Sequence, residues 1–132
     1  MMDTIAIPTD KQTWEGEIAT YWWDDGILVS LSKNTLRTVE KITGNIELVK
    51  EITHNTPAPL LIYLTNSPVP DKATQKFSAE QLPNIYKAMA MVSKPGLSKF
   101  IMNLLFRFTS PPIPMKSFTD AGGAKAWLQQ FR

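Results

Sequence analysis

Residues 88–92 read Ala-Met-Ala-Met-Val, residues 97–108 read Leu-Ser-Lys-Phe-Ile-Met-Asn-Leu-Leu-Phe-Arg-Phe, and residues 115–118 read Met-Lys-Ser-Phe. The chain then closes on a tail built around Ala124, Trp127, Leu128 and Phe131. The first and third stretches are apolar runs of strand length. The second stretch and the tail repeat apolar residues at spacings of three and four, the period of a helix with one buried face. Strand, helix, strand, helix commits the chain to an α/β layer architecture, with helices laid on a sheet. The connector Ser110 to Pro114 is a stiff, proline-rich spacer, too short to separate domains.

Toward the N-terminus, Leu60 to Thr65 is almost continuously apolar, the composition of a central strand covered on both faces. Asn66 to Thr74, with Pro68 and Pro70, reads as a loop. A weaker helical segment follows to about Tyr86, capped by Asp71 or Ser78 and limited, or split into two short pieces, by Pro83. Leu36, Val39, Ile42, Ile46 and Val49 predict a helix from Thr35 to about Thr53, with Gly44 off the apolar stripe. Glu17 to Trp23 and Ile27 to Leu31 are β-prone runs joined through Asp24, Asp25 and Gly26, a strong hairpin signal. The element order is β, β, α, β, α, β, α, β, α. It predicts an α/β domain over residues 14–132, with a single-layer, mixed five-stranded sheet and about four helices, preceded by an arm or tail at residues 1–13.

Composition narrows the function classes. With 132 residues, 43% hydrophobic and 20% charged, the chain is the size of one domain and builds a core of its own. The net charge is only +2 and no lysine or arginine stripe is present, so nucleic acid is not an expected partner. There is no cysteine, which removes disulfides, thiolate nucleophiles and cysteine metal sites together. The first residues lack the long apolar core of a signal peptide. No stretch reaches the roughly 18 apolar residues of a membrane span. The expected protein is soluble and cytoplasmic, with no transmembrane segment.

Phe118, Thr119 and Asp120 followed by Ala124, Trp127 and Leu128 resemble the terminal pattern of the SpoIIAA-like, or STAS/SEC14-like, group of small bacterial domains. The run from Met91 through Ser93, Pro95 and Asn103 to Phe106, then Pro112 to Lys116, is also similar, and the hairpin Trp22 to Leu31 fits the group's opening. The resemblance covers about Ile18 to Phe131. It implies the SpoIIAA/STAS fold. Relatives that antagonise anti-sigma factors switch partners through a serine phosphorylated in an Asp-Ser-Xaa-Gly context at the start of a helix. The matching loop here is Asp71, Lys72, Ala73, Thr74: the acidic position is kept, Lys72 stands in the serine's place, and the glycine is missing.

Few residues form a chemical constellation. His54, the sole histidine, falls at the end of the first predicted helix, where a histidine complements the helix dipole without further duty. Glu15 with Glu17, and Asp24 with Asp25, are local pairs rather than carboxylates converging on a cleft. Gly122 and Gly123 open the last helix as permissive backbone. No catalytic residue, metal or cofactor is predicted, and the chain is not expected to be an enzyme. On the Leu97–Phe108 helix, Met102 and Phe106 fall opposite the apolar stripe, beside Lys99 and Asn103, with Arg107 near. Lys99, Met102, Asn103 and Phe106 form a candidate interface for self-association, most simply a homodimer, or for a protein partner. Coverage by the N-terminal arm and contact with a lipid surface are the alternatives. The expected function is a non-enzymatic regulatory or protein-interaction module of the STAS type. The alternative is a carrier or sensor of a lipid or other small apolar ligand, suggested by the six methionines and the aromatic-rich segments. Trp127 and Leu128 are both expected in the core, on one face with Ala124 and Phe131.

Overall fold

Asp25 and Gly26 carry positive φ angles of 52° and 77°. Two consecutive left-handed residues make the two-residue primed turn whose twist suits a hairpin, and glycine takes the second position without steric cost. The turn joins β2 (Ala19–Asp24) to β3 (Ile27–Ser32), paired antiparallel with Asp24 opposite Ile27. The computed structural model describes residues 7–65, 68, 70–93 and 112–132. Among these lie three α-helices and a six-stranded sheet rather than the five strands expected. The extra strand, β1 (Trp14–Glu15), is only two residues long and pairs antiparallel with β2 through a turn closed by Gly16 N–H donating to Ala19 O at 2.8 Å.

From β3 onward the strands run parallel: β4 (Ala58–Tyr63), β5 (Tyr86–Val92) and β6 (Met115–Phe118), in the spatial order β1-β2-β3-β4-β5-β6. Pro59 lies inside a central strand although it has no N–H for the ladder. The β4–β5 register shifts between Ala58 and Pro59, so the missing donor falls at an irregularity. β4 starts two residues earlier than the apolar run suggested and ends at Tyr63, with Leu64 N–H still bonded to Val92 O.

Helix α1 (Val39–Thr53) begins later than predicted. Thr38 caps it by accepting from Lys41 N–H, and residues 33–37 form a connector instead of a first turn. Leu36 and Val39, expected on the buried stripe, are therefore exposed, at 48% and 45%, while Ile42, Ile46, Val49 and Ile52 are buried. His54 ends α1 in the left-handed conformation, its N–H turned back to Glu51 O. Helix α2 (Lys72–Ile85) is continuous and not two pieces. Pro83 stands in its last turn, where one lost backbone bond does not propagate. Helix α3 (Ala121–Leu128) is capped by Asp120, which accepts from Gly123 N–H at 2.7 Å, and tightens into a 3-10 turn at Gln129–Phe131. The predicted Leu97–Phe108 helix lies outside the described residues.

Strand alternation sorts the core into two halves. On one face Tyr21, Leu28, Leu60, Tyr86, Met89 and Met91 meet α1 and α2. On the other, Trp22, Ile27, Val29, Leu61, Ala90 and Val92 meet Ala124 and Leu128 of α3. Trp127 departs from expectation: it is half-buried, stacking edge-on to Phe131 at 5.0 Å and tilted toward Phe118 at 5.9 Å. Lys125 pairs with Asp24, and Arg132 with Asp25 at 2.9 Å, tying the tail to the hairpin turn.

Candidate functional site

The face under α1 and α2 is not closed. Between the sheet and the two helices lies a cavity of about 260 Å³, walled by apolar side chains including Ile42 and Ile46 of α1, Leu82 and Ile85 of α2, and Met89 and Met91 of β5. Polar groups also line it, Gln75, Ser78 and Gln81 of α2 among them, and one hydrogen-bonded set gathers from four other elements. Tyr21 rises from β2, Ser30 from β3, Asn45 from α1 and Tyr86 from the start of β5. The Tyr21 hydroxyl donates to Asn45 Oδ1 at 2.8 Å, and the two tyrosine oxygens lie 3.5 Å apart. Since Tyr21 has a single proton and gives it to Asn45, the bond between the phenols is donated by Tyr86.

Burial raises the Tyr21 phenol above its ordinary pKa, opposed by hydrogen bonds to Tyr86, Asn45 and Ser30 and by the charge of Arg37. Burial also holds Tyr86 well above the ordinary range, and its neighbour Tyr21 adds to that. Both phenols are neutral near pH 7. They are hydrogen-bonding groups there, not bases.

Arg37 stands on the β3–α1 connector, at the carboxyl end of β3, and lines the same cavity. Its Nη1 donates to Lys33 O at 2.8 Å and Thr35 O at 2.9 Å, and its Nη2 to Ile18 O at 3.1 Å. These bonds hold the connector against the start of β2 and fix the guanidinium in place. Partial burial lowers its pKa, with Tyr21 opposing. An arginine nevertheless stays cationic at any ordinary pH.

Residues 21–132 match the model of a family described as a domain of unknown function (DUF7793). The chain belongs to that family. No curated protein matches this DUF7793 chain. Among solved structures it is similar to an uncharacterized protein of the DUF3478 family with a SpoIIAA-like fold, from Shewanella loihica PV-4. That match has 18% identity and a TM-score of 0.60, and covers 92% of this chain and 98% of the other. The fold of the DUF7793 chain is thus SpoIIAA-like, as the terminal residues implied.

The residues that resemble the antagonists' switch loop, Asp71 to Thr74, form a helix start. Asp71 is the N-cap of α2, accepting from Thr74 N–H at 2.7 Å, and Lys72 is the first helical residue. Thr74 is buried, and its hydrogen bonds hold the Asp71 carboxyl below the ordinary carboxylate range. Lys99, Met102, Asn103 and Phe106 lie outside the described residues. Tyr21 belongs to the aromatic-rich Tyr21–Trp23 segment behind the apolar-ligand alternative, whereas Ser30, Arg37 and Tyr86 were not singled out by sequence reasoning. One signal was available: Asn45 lies three residues after Ile42 and four before Val49, a polar side chain beside an apolar stripe. No group of three or more acidic or histidine residues fit to hold a metal ion occurs among the described residues. Nor is any described helix long and apolar enough to cross a membrane.

Proposed function

We propose that this DUF7793 protein is a non-enzymatic SpoIIAA-like module that carries or senses a small, largely apolar ligand in the cavity beneath α1 and α2. The cavity itself carries the reading. Protein interiors pack at crystal density, and voids larger than a water are few. A space of about 260 Å³ with mostly apolar walls leaves hydrophobic surface in contact with water, and burying that surface against an apolar ligand would be favourable. Apolar walls with a few convergent polar groups are the usual composition of a small-molecule site.

Native mass spectrometry of protein purified without denaturation tests the reading, with Ala79→Phe as the control. Ala79 lines the cavity from α2, so a phenyl ring there takes up its space. A bound small molecule in the wild type that is lost in the variant is the expected result. Ligand-free wild type that binds no apolar probe overturns it. Turnover of a metabolite by the purified protein, abolished by a point substitution, overturns the non-enzymatic part.

A second reading, a STAS-type interaction module without the phosphorylatable serine, draws on the start of α2. Lys72 offers no hydroxyl, and the nearby Thr74 is buried with its N–H committed to Asp71. A phosphate found at Ser67, Thr74 or Ser78 together with altered binding would contradict it. The partner in this reading is a second protein or a second copy of the chain.

A further inference from the structure

Resting on the ligand-binding reading above, we infer that the ligand is a single-chain carboxylate of medium length, its carboxylate held by Arg37 and its chain lying between the sheet and helices α1 and α2. Arg37 is the only charged side chain among the described residues that line the cavity. The ion pairs among the described residues join Lys33 to Glu15, Lys125 to Asp24 and Arg132 to Asp25, and none involves Arg37. Its three hydrogen bonds all go to neutral backbone carbonyls. A partly buried cation with no counter-ion among the described residues is incomplete, because burial of charge is costly until a partner of opposite sign is supplied.

The donor count agrees. A guanidinium has five N–H groups, and three of those on Arg37 are occupied. The two with no acceptor among the described residues are one on Nε and one on Nη2, the nitrogens of the lateral fork that binds a carboxylate through both oxygens. Carbonyl oxygens of Ile18, Lys33 and Thr35 already crowd the group, which favours a monoanion over a phosphate dianion with surplus acceptors. Position agrees too. Arg37 follows the carboxyl end of β3, and Leu64 and Thr65, also in the lining, follow that of β4. Ligands of open α/β sheets bind at that end of the strands. Size sets the chain length. A cavity of about 150 Å³ takes benzene, so about 260 Å³ scales to roughly ten non-hydrogen atoms. Octanoate has that number.

Calorimetric titration with octanoate and with 1-octanol at neutral pH, on the wild type, Arg37→Gln and Arg37→Lys, tests the inference, and Ala79→Phe tests the cavity. Octanoate is expected to bind wild type at least about tenfold more tightly than 1-octanol, as a charge-assisted bond allows. Arg37→Gln should erase that preference while 1-octanol binding is retained. Arg37→Lys, which keeps the charge without the fork, should fall between. Equal affinity of the wild type for the two probes overturns the inference, whether or not Arg37→Gln folds, and so does a preference that survives in folded Arg37→Gln. Binding of 1-octanol but not octanoate, lost in Ala79→Phe, would leave the cavity reading standing and refute the carboxylate. Binding of neither probe to wild type refutes both.

Discussion

Truncating Leu128 should damage this fold more than truncating its larger neighbour Trp127. Leu128 has no solvent exposure and belongs to the same buried cluster as Trp22, Val29, Leu61 and Ala90, in the core half under α3. Its neighbours on strands β3, β4 and β5 are held by hydrogen bonds on both sides, so they cannot collapse into the space a truncation leaves. Leu→Ala at such a site costs about 3–5 kcal/mol, the transfer loss plus the cavity left behind. Trp127 is half-buried and sits at the rim, held chiefly by Phe118 and Phe131. Aromatic pairs of that kind contribute about 0.5–1.5 kcal/mol each beyond their buried area. With part of the indole remaining in water in the folded state, Trp127→Ala should cost about 2 kcal/mol, below the ~3–5 kcal/mol of a fully enclosed tryptophan. Urea denaturation of both variants, followed by far-ultraviolet circular dichroism, gives the comparison, provided the m-value is unchanged. A Trp127→Ala loss equal to or larger than that of Leu128→Ala would refute the reasoning and make the indole the anchor of α3.

Three further outcomes follow from local geometry. Gly26→Ala should cost about 1–2 kcal/mol, because a side chain at φ 77° meets the left-handed penalty; a Gly26→Ala midpoint equal to wild type in the same titration would contradict the turn assignment. Tyr21 and Tyr86 have raised folded-state pKa values, so above pH ~10 the unfolded chain releases phenolic protons that the folded chain keeps. Stability from the protonated phenols is full below that pH and is lost as pH climbs toward the folded values. The urea midpoint of Tyr86→Phe should therefore fall less steeply than wild type between pH 9 and 11, and equal slopes would exclude Tyr86. The lowered pKa of Asp71, caused by its bonds to Thr74, works in the opposite sense. Its stabilisation is present above pH ~4 and lost as pH falls below it. Asp71→Asn should keep the cap but flatten that acid limb, whereas Asp71→Ala lowers stability throughout, and an unchanged acid limb in Asp71→Asn would refute the assignment.

What could be read in the chain alone was whatever short-range chemistry decides. Asp25-Gly26 specifies its turn because only small or turn-tolerant residues accept two positive φ angles in succession. Asp71 and Asp120 mark helix starts because a carboxylate three residues before a free N–H satisfies it. Met115 to Phe118 was legible as a strand from its short apolar run, and Phe118 with Thr119 and Asp120 pointed to the SpoIIAA-like fold. The tertiary structure decided the rest. β1 is too short to have a period, and exists because Tyr21 and Thr20 offer an open ladder. Leu36 follows the helical spacing but precedes the cap at Thr38, so it stays in solvent. Trp127 and Leu128 are equivalent as letters, and only the docking angle of α3 sends one inward and the other to the rim. The cavity was the least legible feature. Tyr21, Arg37, Asn45 and Tyr86 span 65 residues of chain, and they converge because a sheet and two helices fold them onto one face. No local rule encodes a space, since a cavity is defined by side chains that stop short of one another after long-range packing is complete.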